Sequence, residues 1–321
     1  MYCFKIHIVV NFLYRHTHYT SDKMYKKKGV LTMKIGKDSL YLETTFGIDK
    51  AIDMIADAGF DGMDYTDNAP NSNVDDYKEM AKRIRNKAES RGISIYQTHA
   101  PTPTRLLKLG DMDYVKKLTV RSLEFSSLLG AEAAVVHPIQ SPLHKLGDES
   151  VYEANMDYFR YLIPYCKEYN IKIAIENMCK KDAKSGIAHD GVCAHPLEFA
   201  KYIDDLDSEY VTGCLDTGHC AITGREPYDL LRLMGGDRIT CLHVHDNDYK
   251  SDMHCLPYTV NHDWDMFCKT LADIDYKGNF TLEACCYITK FPLEFIPTAL
   301  KFEYDVAKHL VDTINKYKAM K

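Results

Sequence analysis

Histidine or carboxylate residues follow six successive short apolar runs, each with the composition of a buried β-strand. The residues at these ends are His99, His137, Glu176, Asp216 with His219, His243 with His245, and Glu283. An ionisable group at the end of a buried run is costly unless a partner compensates it, and a metal ion or a bound substrate is such a partner. The residue types and their positions therefore predict a cluster of divalent-metal ligands.

A further carboxylate and histidine, Asp252 and His254, lie two residues apart after the run that ends at His243. In an extended segment their side chains point the same way. Carboxylate oxygens favour Mn²⁺ or Mg²⁺, whereas added imidazoles move the preference toward Zn²⁺ or Co²⁺. We therefore expect one divalent ion, with Mn²⁺ as the first candidate and Zn²⁺, Co²⁺ or Mg²⁺ as alternatives.

Each candidate also has an ordinary structural explanation. The two strand-end glutamates could form ion pairs, and Asp216 could cap a helix that begins after it. The histidines of the third and fourth runs could be hydrogen-bonded loop residues. His243 and His245 share one side of a strand only if it stays regular between them, so one is expected in direct contact with the metal or substrate. Trp264 opens a predicted helix, which favours a packing role, with a substrate wall as the alternative.

Eight strand-like runs alternate with segments of helical apolar spacing from about residue 33 onward. The predicted strands are Leu31–Ile35 (with an extension to Leu42 as the alternative), Gly62–Tyr65, Ile93–Thr98, Ala133–Val136, Ile171–Ile175, Val211–Leu215, Ile239–Val244 and Phe280–Leu282. Alternation of strands and helices implies parallel pairing with right-handed crossovers. Eight units of about 27 to 40 residues imply a single-domain (β/α)8 TIM barrel, with an open doubly wound sheet as the alternative.

The composition agrees with a large globular domain. The 321 residues include 45% hydrophobic residues, and 40 basic against 46 acidic residues give a net charge of −6. This balance argues against a basic nucleic-acid-binding tail and against a basic membrane-surface protein. Eleven cysteines without a C-x-x-C pair favour a reducing compartment, so we expect a cytoplasmic protein. Residues 1–32 are expected to form an N-terminal extension, disordered or with a mis-assigned start, before a barrel at residues 33–321.

The motifs resemble those of the sugar phosphate isomerase/epimerase group of the xylose isomerase-like TIM barrels, which share their fold with the endonuclease IV group. The resemblance covers about residues 33–320. It rests on Ala58-Gly59-Phe60-Asp61-Gly62-Met63-Asp64, Val136-His137-Pro138-Ile139, Ile175-Glu176-Asn177, Leu215-Asp216-Thr217-Gly218-His219, His243-Val244-His245-Asp246-Asn247-Asp248, Asp252-Met253-His254-Cys255-Leu256-Pro257, Asp263-Trp264 and Thr281-Leu282-Glu283. The chain departs from many relatives at Tyr258-Thr259-Val260-Asn261-His262, where they carry a glycine-rich turn.

The resemblance implies a metal-dependent sugar or sugar phosphate isomerase or epimerase. It implies a single ion held by Glu176, Asp216, His243 and Glu283, and contact of His219 with a sugar hydroxyl. A metal-stabilised enediolate would form as one of the two glutamates removes a proton and the other returns it. A small carbohydrate is the expected partner, with no nucleic acid or membrane, and homo-oligomerisation is left open.

Two other functions stay open at this point. The endonuclease IV group binds three zinc ions through nine positions, and each has a counterpart in this chain. The counterparts are His99, His137, Glu176, Asp216, His219, His243, Asp252, His254 and Glu283. A zinc phosphodiesterase acting on abasic DNA, with up to three Zn²⁺, is therefore the first alternative. A non-catalytic sugar-binding barrel is the second. The six candidates outside the four-residue set, His99, His137, His219, His245, Asp252 and His254, are expected to bind substrate or additional metal.

Overall fold

The computed structural model describes residues 33–67, 71–141, 144–181 and 188–321. Its centre is a sheet of eight parallel strands, which we number one to eight in chain order. They span Ile35–Asp38, Gly62–Thr66, Ser94–His99, Ala133–Val136, Lys172–Glu176, Val211–Asp216, Ile239–His243 and Phe280–Leu282. Each strand pairs with its neighbour in the chain, and the first also pairs with the eighth.

The ring closes between strands seven and eight. Val244, directly after strand seven, forms a parallel bridge with Leu282. The Val244 N–H donates to the carbonyl oxygen of Thr281 at 2.9 Å, and the Glu283 N–H donates to the carbonyl oxygen of Val244 at 2.9 Å. The predicted (β/α)8 TIM barrel is therefore confirmed.

Helices form the outer layer of the barrel. They span Leu40–Phe46, Ile48–Ala58, Tyr77–Ser90, Pro103–Leu106, Met112–Leu129, Glu149–Tyr169, Pro196–Leu206, Thr217–Ile222, Pro227–Met234, Trp264–Asp273, Cys285–Ile288 and Ile296–Ala319. Two short antiparallel strands, Cys179–Lys181 and Ala188–Asp190, pair after strand five. Several helices end at a residue in the left-handed conformation, such as Gly59, Gly130 and Asn170, which suits a sharp return toward the next strand.

The apolar core has two parts. The larger part lies between the strands and the helices and contains most of the buried leucine, isoleucine and phenylalanine side chains. The smaller part comprises the short side chains Ala133, Val135, Ala174, Cys214 and Cys241 of strands four to seven. These alternate along their strands with residues of the larger part, which places them inside the barrel. The inward positions at the strand ends are left for the polar candidates.

Tyr96 fills the barrel interior on the amino side of the mouth. A Cβ atom at Gly36 would lie 1.8 Å from the Tyr96 hydroxyl oxygen, and one at Gly62 would lie 2.6 Å from its ring. Strands one and two therefore need glycine at these positions, because any side chain would displace the ring.

Strand one agrees with the longer of the two predicted extents, the one that continues to Leu42. It begins at Ile35, which pairs with Phe280, and it includes the charged residues Lys37 and Asp38, both buried. The apolar run alone would end the strand at Ile35, before these charges, and residues 31 and 32 lie outside the described part. The Lys37 ammonium group donates to Asp38 and lies 3.7 Å from Oε2 of Glu303 on the last helix. Paired charges thus replace apolar residues on this strand.

The fully buried carboxyl group of Glu303 should make stability depend on pH. Burial raises its pKa to about 8 from an ordinary value of 4.5, although Lys37 opposes the increase. Because the pKa is higher in the folded chain, the stabilising contribution is complete below pH 4.5. It falls as pH rises through 8, by up to about 1.4 kcal/mol per pH unit. Urea unfolding between pH 5 and 9 should show this decline in the wild type and a flatter profile in Glu303→Gln. Parallel profiles would contradict the assignment.

The barrel domain forms one compact unit over Met33–Lys321. The predicted N-terminal extension at residues 1–32 lies outside the described residues, so that interpretation stays a prediction. Among the helices in the described ranges, none combines the length and apolar character needed to cross a membrane.

Candidate metal centre

The carboxyl ends of strands three to eight bring the predicted side chains to one mouth of the barrel. Four of these residues each offer a ligand atom, and the four atoms lie within 4.8 Å of one another. The residues are Glu176, Asp216, His243 and Glu283, from or directly after strands five to eight. The set that the resemblance implies for a single ion therefore meets at one point.

His243 lies at the centre of this four-donor group. Its Nδ1 atom is 3.0 Å from Oε1 of Glu176 and 3.4 Å from Oε2 of Glu283. Glu176 and His243 are each 1% exposed, and Asp216 is fully buried. The Glu283 side chain is 19% exposed, so it is the donor of the four most open to the mouth. A ligand that enters from solvent therefore meets Glu283 first.

A second donor group shares Glu176. His99, His137 and Glu176 also offer ligand atoms within 4.8 Å of one another. The Nε2 atom of His137 lies 2.6 Å from Oε2 of Glu176, and that of His99 lies 3.7 Å from the same oxygen. These two histidines, at the ends of strands three and four, therefore both face Oε2 of Glu176, whereas Oε1 lies near His243.

A third donor group comprises His245, His254 and Glu283. The rings of His245 and His254 stack with their centroids 4.1 Å apart. Asp252 joins this side of the mouth, because its carboxylate oxygens lie 3.3 Å from Nε2 of His254 and 3.7 Å from Nε2 of His219. All ten predicted donors thus lie around one opening.

Three of the histidines share one hydrogen-bond pattern. His99, His219 and His254 each place Nδ1 3.0 Å from a backbone carbonyl oxygen. We assign the proton to Nδ1, because a carbonyl oxygen can only accept. The Nε2 lone pair of each ring is then free to bind a cation, as in most protein metal sites.

Buried polar atoms without an aligned hydrogen bond concentrate at this mouth. Among the described residues they include Oε2 of Glu176, Oε2 of Glu283, Oδ1 of Asp252, Nδ1 of His137 and Nδ1 of His245. Such atoms are rare in folded proteins because each loses its hydration without compensation. A cation held by the four-donor group would compensate the oxygens of Glu176 and Glu283, so this donor set fits a divalent metal ion.

The two glutamates have pKa values displaced in opposite directions. Burial acts to raise the pKa of Glu176, but its interactions with His137 and His243 outweigh burial and hold the pKa well below its ordinary value. Burial raises the pKa of Glu283 above its ordinary value, although His243 and His254 act to lower it. Two neighbouring carboxyl groups in such different environments are suited to opposite proton-transfer roles.

Asp216 caps a helix and also lies among the four donors at the mouth. Its carboxylate accepts the His219 N–H at 2.6 Å and so caps the helix Thr217–Ile222. The same carboxylate lies 3.1 Å from Nε2 of His245. Burial opposes its ionisation, but His219 and His245 outweigh burial and lower the Asp216 pKa to about 2. The helix cap therefore fixes an ionised donor at the mouth.

Trp264 lies away from the opening. It is 2% exposed, and its indole N–H donates to Oδ2 of Asp246 at 3.2 Å. Asp246 also accepts the backbone N–H groups of residues 260 to 262. Trp264 therefore packs under the loop that precedes its helix, and this placement corrects the alternative that it forms a substrate wall.

Two residues of the site escaped the sequence analysis. The Asn177 side chain donates to the carbonyl oxygen of Asp216 at 3.0 Å and accepts the Asp216 N–H at 2.8 Å, so it ties strand five to strand six. Asp64 on strand two lies with Oδ2 3.0 Å from Nε2 of His243. Both residues belong to motifs that carry the family resemblance, and Asp64 also lies near a strand end. These two features could have indicated them.

The sequence profile of the family described as "Xylose isomerase-like TIM barrel" matches residues 52–302, which is more than half of the chain. The protein belongs to the xylose isomerase-like TIM barrel family. A relative, the uncharacterised protein y4fM of Sinorhizobium fredii, is 26% identical over 265 residues, which cover 74% of this chain and 81% of the relative.

Solved structures of sugar epimerases share the fold of this xylose isomerase-like barrel. A D-tagatose 3-epimerase-like protein superposes with a TM-score of 0.69 at 21% identity, covering 88% of this chain and 99% of the other. D-psicose 3-epimerase from Clostridium cellulolyticum H10, solved with D-tagatose, gives a TM-score of 0.69 at 15% identity, covering 87% and 99%. At these identities the likeness shows the fold.

Proposed function

We propose that the protein is a metal-dependent sugar isomerase or epimerase that moves a proton at a carbon next to a ketose carbonyl group. The observation that carries this proposal is the four-donor group, in which two glutamates lie within 4.8 Å of an aspartate and a histidine. A sugar-binding site without catalysis has no need of two such carboxyl groups beside each other. The epimerase names of the structural neighbours add support.

The residues that would hold the ion are Glu176, Asp216 and Glu283 through carboxylate oxygens, and His243 through Nδ1. Three oxygen donors and one nitrogen suit Mn²⁺, with Mg²⁺, Co²⁺ and Zn²⁺ as alternatives. Such an ion, when bound, polarises neighbouring sugar oxygens and stabilises the negative charge that develops as a carbon-bound proton leaves.

The two glutamates would perform the proton transfers. A carboxylate takes the proton from the carbon next to the carbonyl group, and the other carboxyl group delivers a proton to the opposite face, which inverts that carbon. If one residue handles both steps, or if the proton returns to the neighbouring carbon, an aldose and a ketose interconvert instead. His219 would contact a sugar hydroxyl. Its Nδ1 atom lies 3.6 Å from Oε1 of Glu176, and the residue is 9% exposed.

A panel of ketoses and ketose phosphates in heavy water tests the proposal. The Mn²⁺-loaded protein should introduce solvent deuterium at the carbon next to the carbonyl group of its substrate, detected by NMR, together with an epimer or aldose product. Absence of deuterium from every member of the panel would refute proton abstraction and would favour a non-catalytic sugar-binding barrel.

A zinc phosphodiesterase is the second candidate, and the nine donors gathered at the mouth favour it. The group of His99, His137 and Glu176 and the contacts of Asp252 could each hold a further ion. DNA cleavage also needs loops that neutralise phosphates and wedge into the duplex. In sequence, the loops after strands three and four offer only Arg105, Lys108 and Lys145 for that purpose, with little aromatic interleaving, which argues against this function. Three zinc ions per chain together with cleavage of abasic DNA would establish this function, whereas one ion per chain supports the isomerase.

A further inference from the structure

We propose that Asp64 is a positioning residue, which holds the His243 ring so that Nδ1 faces the metal ion. The inference rests on the proposed metal site and concerns how the protein builds it. Asp64 itself belongs to none of the three donor groups found among the described residues. Its effect on the ion is therefore exerted through His243.

The geometry assigns different tasks to the two nitrogens of His243. Nε2 lies 3.0 Å from Oδ2 of Asp64, while Nδ1 lies 3.0 Å from Oε1 of Glu176 and 3.4 Å from Oε2 of Glu283. A neutral imidazole has one N–H and one lone pair. When Nε2–H donates to Asp64, the lone pair of Nδ1 points among the carboxylates where the ion would bind.

The two nitrogens of His243 have the reverse roles of those in three other histidines at the mouth. His99, His219 and His254 each donate Nδ1–H to a nearby backbone carbonyl oxygen and present Nε2. The nitrogen that His243 directs away from the mouth points across the barrel interior toward strand two. An acceptor there has to come from a side chain, and Asp64 supplies it.

Asp64 is itself held in place. The Gln97 side-chain N–H donates to the same Oδ2 atom at 2.7 Å, and the Gln97 oxygen accepts from the Thr281 hydroxyl at 3.3 Å. The register between strands two and three shifts at this point, because Met63 pairs with Ile95 whereas Asp64 pairs with Gln97. Such bulges re-aim side chains beside functional sites. This bulge brings Gln97 opposite Asp64.

A purely structural acceptor would not need the charge of Asp64. The carboxylate is 1% exposed, and its Oδ1 has no hydrogen-bond partner among the described residues, which is costly for a buried oxygen. A carboxylate that accepts from a histidine ligand fixes the tautomer of that histidine and makes its free nitrogen more basic. The charge thus acts on the metal site through the ring.

The test compares Asp64→Asn with Asp67→Asn in the full-length protein. Asp67 is equally buried, directly follows the same strand and accepts the Ser72 N–H at 3.3 Å, so it controls for removal of a buried carboxylate. Asp64→Asn should weaken Mn²⁺ binding by about 10- to 100-fold, measured by competition with a chelating dye. Asp67→Asn should leave the affinity unchanged. Equal Mn²⁺ affinity of Asp64→Asn and the wild type would overturn the inference.

Histidine NMR of the protein loaded with diamagnetic Zn²⁺ gives an independent measurement. With ¹⁵N-labelled histidine, His243 should carry its proton on Nε2 in the wild type, and the Nε2–H signal should move in Asp64→Asn because the carboxylate acceptor is lost. A His243 already protonated on Nδ1 in the wild type would overturn the inference. If Asp64→Asn does not fold, Gln97→Met takes its place and should weaken Mn²⁺ binding in the same direction, with unchanged affinity counting against Asp64. Failure of the wild type to bind Mn²⁺ would instead refute the proposed function, while the Zn²⁺-loaded protein still tests Asp64.

Discussion

The Glu283→Gln variant should lose the exchange of solvent deuterium into the sugar carbon while it keeps the barrel fold. An amide has the same shape as a carboxyl group but cannot take up or deliver the transferred proton. Positioned general acids and bases contribute about 10²- to 10⁴-fold to rate, so the exchange rate should fall by at least about 10²-fold. The side chain is 19% exposed, which makes a fold defect unexpected. Deuterium incorporation followed by NMR over several hours measures the loss.

A matched control uses a carboxylate outside the donor groups. Glu226 accepts a hydrogen bond from the Tyr249 hydroxyl at 2.9 Å, so Glu226→Gln removes a nearby charge without touching the four donors. It should retain wild-type exchange. If Glu283→Gln also exchanges deuterium at a wild-type rate, Glu283 has no part in the proton transfer.

Removal of the metal ion should both abolish activity and lower the melting temperature. The mouth holds the carboxylates Glu176, Asp216, Asp252 and Glu283 close together, and the ion would bind the folded state alone. At an ion concentration 100 times the Kd, such binding contributes about 2.7 kcal/mol. In a domain of this size that corresponds to a shift of about 4 to 5 °C. Thermal unfolding with a chelator, and then with restored Mn²⁺, measures the shift.

Asp216→Asn separates the metal effect from helix capping. Asparagine is as good a helix cap as aspartate, so the helix Thr217–Ile222 should persist. The anionic donor is lost, however, and the Mn²⁺-dependent increase in melting temperature should disappear with it. A variant that still responds to Mn²⁺ like the wild type would show that Asp216 is not a ligand.

The barrel could be predicted from the sequence because turn and polar residues mark the limits of most strands. Strands four and eight have the predicted limits, Ala133–Val136 and Phe280–Leu282, since each apolar run is bounded by turn or polar residues. The end of strand one stayed open between Ile35 and Leu42 because Lys37 and Asp38 are charged yet buried in it. Apolar patterning cannot find a strand whose charges are compensated by distant partners such as Glu303.

The site was partly predictable for a geometric reason. Parallel strands in a closed barrel direct all their carboxyl ends to one mouth, so a strand-end rule is enough to gather Glu176, Asp216, His243 and Glu283. The rule does not indicate which nitrogen of a histidine faces the mouth. That depends on the acceptors nearby, which for His243 depend on a one-residue register shift between strands two and three. Local sequence patterns contain no clear signal for that shift.

Anomalous X-ray diffraction from crystals of the Mn²⁺-loaded protein tests most directly whether the four donors share one cation. The account predicts a strong manganese peak about 2.0 to 2.3 Å from carboxylate oxygens of Glu176, Asp216 and Glu283 and from Nδ1 of His243. A map whose manganese peak lies elsewhere, with none among these four side chains, would contradict it.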